Sequence, residues 1–179
     1  MNTRILRTLA YPLVTTTLTK QECTGLMTPI LVPVLGKAKI VRTIPRAILY
    51  GPTKYQGFGL TNLHVYQGCA QIAQLLQFWN TSTELGKVYK ISYEYLLMEL
   101  GVQQQPFQVN YAIYHKCAEE SLLKHIWKFT HDHNIRLQIH GTNLKPQREN
   151  DVCLMSTFAE SQHRTGSSKL LGSASSLRG

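Results

Sequence analysis

Basic side chains are interleaved with aromatic ones between residues 37 and 58, and no acidic residue occurs among them. Positive side chains bind a phosphate backbone and aromatic rings stack on bases, so this combination is typical of nucleic-acid contact. A solvated basic surface without a partner is the alternative that composition leaves open. The candidate binding residues are Lys37, Lys39, Arg42, Arg46, Lys54 and Tyr55.

The same stretch is rich in glycine between Gly51 and Leu60. It lacks the Gly-Lys-Ser/Thr ending of a P-loop, and it is not the Gly-x-Gly-x-x-Gly turn of a dinucleotide-binding fold. Two interpretations remain open. Either the backbone cradles a phosphate, or Gly57 and Gly59 allow positive φ angles where the chain closely approaches the next helix.

Catalytic and metal chemistry have little support in the residue types. A two-metal polymerase or nuclease needs several convergent carboxylates, but Asp132 and Asp151 are the only aspartates and Glu22 is the only acid before residue 84. The histidines between residues 115 and 140 show no His-x-x-x-His spacing, and the four cysteines form no Cys-x-x-Cys pair. We therefore predict no catalytic residue, no metal site and no cofactor.

The charge is distributed unevenly along the chain. Residues 1–83 hold eight basic residues and one acid, whereas residues 84–179 hold eleven basic residues and nine acids, for a net charge of +9. An excess of one sign in one half indicates a polyanionic partner, here the backbone of RNA or DNA.

The cellular location is constrained only by composition. The longest apolar run, residues 30–35, is far shorter than the roughly 20 residues of a membrane span, so no membrane association is expected. Residues 1–21 are basic and rich in threonine like a transit peptide, but Tyr11-Pro12 interrupts the helix that such a peptide needs. Widely spaced cysteines without a signal peptide favour buried, reduced thiols and an intracellular, nuclear or cytoplasmic location over secretion.

Local signals predict the elements that position these residues. Thr19 and Glu22 form a capping box before an apolar stripe interrupted by Pro29 and Pro33, which predicts a kinked helix ending at Gly36 or two short helices. Residues 47–50 are predicted to form a short buried strand. The alternation over residues 135–139 predicts a second, half-buried strand. Further helices are expected over 61–80 (inward face Val65, Cys69, Ile72, Ala73, Leu76, Trp79), 83–100 (Leu85, Val88, Tyr89, Ser92, Leu96) and 118–133 (Leu122, Ile126, Phe129).

The predicted fold class is mainly α. We expect a small helical bundle with a basic irregular loop region over residues 37–62 and at most one or two short strands. Residues 1–140 form the predicted helical module. Residues 141–179 form a polar tail rich in serine and glycine, in which only residues 152–158 could dock and the remainder should be mobile.

Several short motifs follow one another along the first half of the chain: Tyr11-Pro12-Leu13, Pro29-Ile30-Leu31, Pro45-Arg46-Ala47, Tyr50-Gly51-Pro52, Gly57-Phe58-Gly59-Leu60 and Gln67-Gly68. Further on come a helix ending in Glu-x-Gly at Gly101, Trp127-x-Phe129 before His133-Asn134, and Arg148 to Asp151 before Leu154-Met155. In this order the motifs resemble the segment after the polymerase core in reverse transcriptases of non-LTR-type mobile elements. The resemblance spans roughly residues 1–165.

This resemblance implies a thumb-like or connection-like helical region that steadies template and primer beside an upstream polymerase domain. The family's catalytic Tyr/Phe-x-Asp-Asp motif is absent, so it does not imply catalysis by this chain. The chain departs from the family at Gln56, where a second glycine is expected, and after Leu171, where a low-complexity stretch suggests a truncated or frame-shifted reading frame.

The functional hypothesis is therefore a fragment of a mobile-element reverse transcriptase that binds nucleic acid non-specifically and lacks the polymerase active site. Two alternatives stay open. One is a small helical protein-interaction module, and the other is a non-functional relic that does not fold alone.

Overall fold

The computed structural model describes residues 8, 11–102, 104–140, 152 and 154–165. Throughout this part of the chain every regular element is helical, which confirms the mainly α class. Residues 11–15 are also helical, and short 3-10 turns occupy Thr53–Tyr55, Pro106–Gln108 and His115–Cys117. The helices are α1 (Lys20–Lys37), α2 (Arg46–Tyr50), α3 (Leu63–Trp79), α4 (Glu84–Leu100), α5 (Tyr111–Tyr114), α6 (Leu122–Asp132) and α7 (Leu154–Thr165).

Packing divides the chain into two compact units, with the division between Gln74 and Leu75 inside α3. The first unit contains α1, α2 and most of α3, and the second contains the remaining helices. The boundary predicted at residue 140 rests on the change of composition there and stays a prediction. Among the helices that the structure describes, none is long and apolar enough to cross a membrane.

Helix α1 begins as its capping signal predicts. The Thr19 side chain accepts from the Glu22 backbone, and the Glu22 carboxylate accepts from the Thr19 backbone. The helix runs without interruption through both prolines and ends at Lys37, so the two-helix alternative is wrong. Its inward stripe is narrower than predicted because Cys23, Leu31 and Leu35 are buried whereas Leu26 is exposed.

Residues 47–50 form most of helix α2 instead of the predicted strand. Pro45 immediately precedes the helix, and its carbonyl accepts from the backbone N–H groups of Ile48 and Leu49, which closes a helical turn. Leu49 alone is fully buried in this turn, at 1% exposure. A buried apolar run this short does not distinguish a strand from a turn of helix, and here the local hydrogen bonds decide.

Helix α3 lies within its predicted range but buries a different face. Of the residues predicted to point inward, Trp79 is buried, but Val65, Cys69, Ala73 and Leu76 are exposed. In the part of α3 that belongs to the first unit, the buried side chains are Leu63, Gln67 and Gln71, and both glutamines are fully inaccessible. The prediction was wrong because it assigned glutamine to solvent, although a buried amide is stable when it is hydrogen-bonded.

The two glutamines bind the segment that precedes α1. The side-chain amide of Gln71 donates to the Thr16 carbonyl at 2.7 Å, and that of Gln67 donates to the same oxygen. The Cys23 thiol donates to the side-chain oxygen of Gln67 at 3.6 Å. Beside them, Leu13, Cys23 and Leu63 form an apolar cluster, so the start of α1 is fixed against α3 by polar and apolar contacts together.

In the second unit, helix α4 has the predicted caps but not the whole predicted face. The Thr83 side chain accepts from the Gly86 backbone, and Gly101 ends the helix at a φ of 60°. Tyr89 and Leu96 are buried as predicted, together with Tyr93, Leu97 and Leu100. Leu85, Val88 and Ser92 are exposed instead.

Helix α6 forms the centre of this unit. It starts later than predicted, after Ser121, whose hydroxyl accepts from the Lys124 backbone. Ile126 and Phe129 are buried as predicted, and the indole of Trp127 is fully buried and donates to the Val109 carbonyl at 3.0 Å. The Trp127 hydrogen bond attaches the segment before α5 to the core, because a buried indole N–H needs a partner.

The predicted strand at residues 135–139 is an extended segment without a strand partner in the described chain. The predicted alternation is confirmed at Leu137 and Ile139, which are buried, but is wrong at Ile135, which is exposed. The side chain of Gln105 makes the hydrogen bonds with this segment that a neighbouring strand would make. Its amide donates to the Ile139 carbonyl at 2.6 Å, and its oxygen accepts from the Ile139 N–H at 3.1 Å.

Much of the predicted mobile tail, residues 141–151 and 166–179, lies outside the described residues. Within the tail, helix α7 extends beyond the predicted element at residues 152–158 and ends at Thr165. The Met155 backbone N–H donates to the Gly101 carbonyl at 3.1 Å, so α7 contacts the end of α4. Met155 itself is 8% exposed.

Replacing Gln105 with methionine should destabilise the second unit by about 2 kcal/mol, because both backbone groups of Ile139 would lose their partner. Urea denaturation followed by circular dichroism measures this change. The neighbouring Gln104 is exposed, so Gln104→Met is the matched control and should change stability by less than about 0.5 kcal/mol. Equal effects of the two substitutions would show that the hydrogen bonds between Gln105 and Ile139 contribute nothing to the stability of the second unit.

Acidification should loosen the start of α1. The backbone N–H and then the hydroxyl of Thr19, which donate to Glu22 at 2.7 and 2.8 Å, hold the Glu22 pKa below its ordinary value of 4.5. Since the folded pKa is the lower one, this stabilisation is complete above the unfolded pKa and is lost as pH falls through the folded pKa.

The variant Glu22→Gln separates this effect from general acid unfolding, because its amide does not titrate in that range. It should be less stable than the native chain near pH 7, since a neutral group interacts less favourably with a helix N-terminus. The difference should shrink towards about pH 3 as the native carboxylate is protonated. A difference that stays constant over this range of pH would contradict the prediction.

Candidate nucleic-acid interface

The predicted binding residues all lie on the surface of the first unit. Each is exposed, and none is part of a core cluster. In chain order they lie at the end of α1 (Lys37), in the turn that follows (Lys39 and Arg42), at the start of α2 (Arg46) and in the 3-10 turn after it (Lys54 and Tyr55).

An apolar cluster beneath these residues fixes the backbone that carries them. Leu31, Leu35 and Leu49 are buried together, and Ile40 and Ile44 pack against them from the turn between α1 and α2. Leu60, at the end of the glycine-rich loop, packs on the same cluster. Because the isoleucines of the turn face this cluster, the intervening Arg42 remains on the solvent side.

The turn after α1 is closed by backbone hydrogen bonds. The N–H of Ile40 donates to the Leu35 carbonyl at 2.9 Å, and that of Lys39 donates to the Gly36 carbonyl at 3.1 Å. Lys39 has a φ of 55°, in the left-handed region that follows many helix ends. The helix end therefore sets the direction of the chain through Lys39.

The basic residues in the described part of the first unit lack acidic partners. Its described part contains six lysines and arginines and a single carboxylate, and no ion pair joins them. That carboxylate, Glu22, is held by Thr19 in the capping box. By contrast, Lys87 and Lys124 of the second unit pair with glutamates at 2.8 and 2.7 Å. The positive charge of the first unit is therefore not neutralised within that unit.

Lys54 and Tyr55 contact each other. The Lys54 ammonium lies 5.8 Å from the centre of the Tyr55 ring, within the range of a cation–π interaction. Tyr55 itself is 75% exposed. The ring therefore combines an accessible face with an adjacent charge.

The glycine-rich loop folds back on α2. Its N–H groups at Phe58, Gly59 and Leu60 donate to the carbonyls of Ile48, Gly51 and Leu49, at 2.8 to 3.0 Å. The N–H groups of Tyr55, Gln56 and Gly57 donate within the loop. These six amides are therefore not available to a phosphate, which disfavours the cradle interpretation.

Close backbone approach explains Gly57. A Cβ atom there would overlap the Gly51 carbonyl and lie 2.7 Å from the Gly51 Cα. Gly59 has a φ of 61°, as the sequence suggested, but Gly57 does not have a positive φ, so the prediction is wrong there. Gln56, immediately before Gly57, has a φ of 60° instead. Gln56 thus occupies a conformation that favours glycine, at the position where the resemblance predicts one.

A cavity of about 300 Å³ adds residues that sequence reasoning did not select. It is enclosed by α1, α2 and the start of α3. Arg46 lines it together with Lys20, Tyr50 and Asn62, whereas Lys37, Lys39, Arg42, Lys54 and Tyr55 do not. The spacing of Lys20, Thr24 and Met27 at i, i+4 and i+7 could have identified this face of α1.

The sequence also raised the questions of a metal site and of the state of the cysteines. No three His, Cys, Asp or Glu side chains within the described ranges are close enough to hold a metal ion. Among the described cysteines, Cys23 is buried as predicted, Cys69 is exposed and Cys117 is half-buried, while Cys153 lies outside the described residues. Burial raises the pKa of the Cys23 thiol, with a smaller contribution from nearby Glu22.

No protein-family model matches this chain, and no curated protein and no solved structure matches it either. The resemblance to reverse transcriptases therefore rests on the sequence motifs alone.

Replacing Gly57 with alanine should destabilise the first unit by about 2 kcal/mol, because the new methyl group overlaps the Gly51 carbonyl and the loop must shift. Gly25→Ala is the matched control. Gly25 is exposed inside α1 with no atom within 4 Å of a new Cβ, so alanine should stabilise it by about 0.5–1 kcal/mol.

Chemical denaturation of both variants and the native chain measures these opposite changes. A Gly57→Ala variant as stable as the native chain would show that the glycine is not required by close packing. The same curves address autonomous folding, since broad, uncooperative unfolding of the native chain would favour the interpretation as a relic.

Proposed function

We propose that the first unit of this chain binds the phosphate backbone of RNA or DNA without cutting or copying it. The observation that carries the proposal is the group of exposed basic residues without a carboxylate partner in that unit. An unpaired basic surface attracts a polyanion and releases its counterions, which gives non-specific affinity. Lys37, Lys39, Arg42, Arg46 and Lys54 are the proposed contacts, with Tyr55 as a stacking ring.

The anchoring of the protein backbone that bears these basic residues supports their proposed role as phosphate contacts. The turn between α1 and α2 is anchored by Ile40 and Ile44, and the glycine-rich loop is anchored by Leu60 and its backbone hydrogen bonds. Basic side chains on a preorganised protein backbone lose less conformational entropy on binding than basic side chains on an unfolded chain. The side chains, and not the loop amides, supply the proposed contacts.

The proposed origin is a segment of a mobile-element reverse transcriptase that lies after the polymerase core. In that role the chain would steady template and primer beside an upstream polymerase domain, its proposed protein partner. Its order of motifs supports this origin, and the absence of an Asp-Asp pair supports a role without catalysis.

A protein-interaction module is the second candidate, and one feature of α4 favours it. Four exposed apolar side chains, Val88, Ile91, Tyr95 and Met98, follow one another at spacings of three, four and three residues. This spacing is that of a seam between paired helices. The partner would then be an amphipathic helix.

The proposal is tested by measuring the binding of labelled RNA and DNA by fluorescence anisotropy over a range of salt concentrations. The logarithm of the affinity should fall with the logarithm of the salt concentration by about 0.7–0.9 per phosphate neutralised. The triple variant Arg42→Ala, Arg46→Ala, Lys54→Ala should bind more weakly and lower the slope by about two to three.

The matched control removes three exposed lysines of the second unit, at positions 90, 116 and 128, and should leave the slope unchanged. Both variants lose the same charge, so a difference between them reports position and not net charge. Absence of binding, or binding without salt dependence, would overturn the proposal. Unchanged association in the Arg42, Arg46 and Lys54 variant would favour the interaction module instead.

A further inference from the structure

The cavity beside Arg46 combines charge with an apolar wall. Lys20 and Arg46 line it from α1 and α2, and Met27 and Leu63 contribute apolar side chains from α1 and α3. Its volume of about 300 Å³ is at the lower end of small-molecule sites. A ligand that fits must therefore be small, with an anionic part and an apolar or aromatic part.

The charge of the cavity is entirely positive. No carboxylate lines it, and Glu22, the sole carboxylate described in the first unit, is held by Thr19. Lys20 and Arg46 belong to the bases that have no acidic partner in the described part of that unit. Two cations without a counterion at one small cavity favour an anionic group such as a phosphate.

Two further lining residues, Tyr50 and Asn62, suit a flat ring that carries hydrogen-bond acceptors. Tyr50 is aromatic, and an aromatic side chain is a surface on which another ring can stack. The Asn62 side-chain oxygen accepts from the N–H groups of His64 and Val65, at 3.1 and 3.4 Å, at the start of α3. With its oxygen occupied in this way, Asn62 has an amide nitrogen to offer to a ligand as donor.

We propose that this cavity binds a single nucleotide, with the phosphate on Lys20 and Arg46 and the base between Tyr50 and Met27. The Asn62 amide donates to an acceptor on the edge of the base. The inference rests on the proposed function in one respect, because Arg46 serves both the surface and the cavity. A nucleotide of a bound strand and a free nucleotide share this chemistry, and the experiment distinguishes them.

The test uses the full chain with ¹³C-labelled methionine methyl groups, titrated with adenosine 5′-monophosphate and observed by NMR. Met27 lines the cavity, whereas Met98 and Met155 lie in the second unit and serve as internal controls. The Met27 resonance should shift saturably with the nucleotide. It should shift much less with adenosine, which lacks the phosphate, and with ribose 5-phosphate, which lacks the base.

Two substitutions on α2 form a matched pair. Ala47 lines the cavity and Ile48 does not, so Ala47→Phe should fill the site and abolish the Met27 shift while Ile48→Phe preserves it. Lys20→Ala should weaken nucleotide binding about tenfold, the effect of one charge-assisted hydrogen bond. Because Met98 and Met155 lie in the second unit, folding of the first unit is checked separately, by a circular dichroism spectrum and an unfolding curve like those of the native chain.

The outcomes separate this inference from the proposed function. A Met27 resonance that does not move, or that moves equally with adenosine, overturns the cavity site even where salt-dependent polynucleotide binding persists. Competition between a single-stranded oligonucleotide and the mononucleotide for Met27 supports insertion of a base from a bound strand. A nucleotide-specific shift in a chain that binds no polynucleotide supports a site for free nucleotides and overturns only the proposed function.

Discussion

Hydrogen bonds from three buried or half-buried glutamine side chains hold irregular segments of this chain in place. Gln67 and Gln71 of α3 bind the Thr16 carbonyl, and Gln105 binds both backbone groups of Ile139. A segment outside a helix must find partners for its backbone groups wherever it enters the interior. A neighbouring strand supplies them in a sheet, whereas amide side chains supply them here. These hydrogen bonds therefore support the cluster that contains Cys23 and the burial of Ile139.

This constraint explains which parts of the fold could be predicted from the sequence. The caps at Thr19, Thr83 and Gly101 depend on residues three or four positions apart, so local signals were sufficient. The buried face of α3 depends on partners about fifty residues away, and its glutamines look like solvent-facing residues until Thr16 is placed. The alternation within residues 135–139 could likewise be recognised in the sequence at Leu137 and Ile139. The hydrogen bonds between Ile139 and the Gln105 side chain could not.

The candidate site divides in the same way. Composition located the excess of basic residues, because the scarcity of acids in the first half is visible without a fold. It did not locate Lys20 beside Arg46, since these residues are brought to one cavity only when α1, α2 and the start of α3 pack together. The glycine-rich loop had two interpretations in the sequence. The internal hydrogen bonds of its amides favour the structural one.

Because the loop amides are used internally, affinity and selectivity should arise in different places. The exposed lysines and arginines act as phosphate contacts, and such contacts position a strand without reading its sequence. Recognition of a base requires a hydrogen-bonding group beside a ring, and at the cavity Asn62 and Tyr50 provide both. Arg46 links the two regions, since it is exposed on the basic surface and also lines the cavity. Loss of the other basic side chains of the surface should therefore weaken the binding of all nucleic acids equally. Changes within the cavity should instead alter the discrimination between paired and unpaired nucleobases.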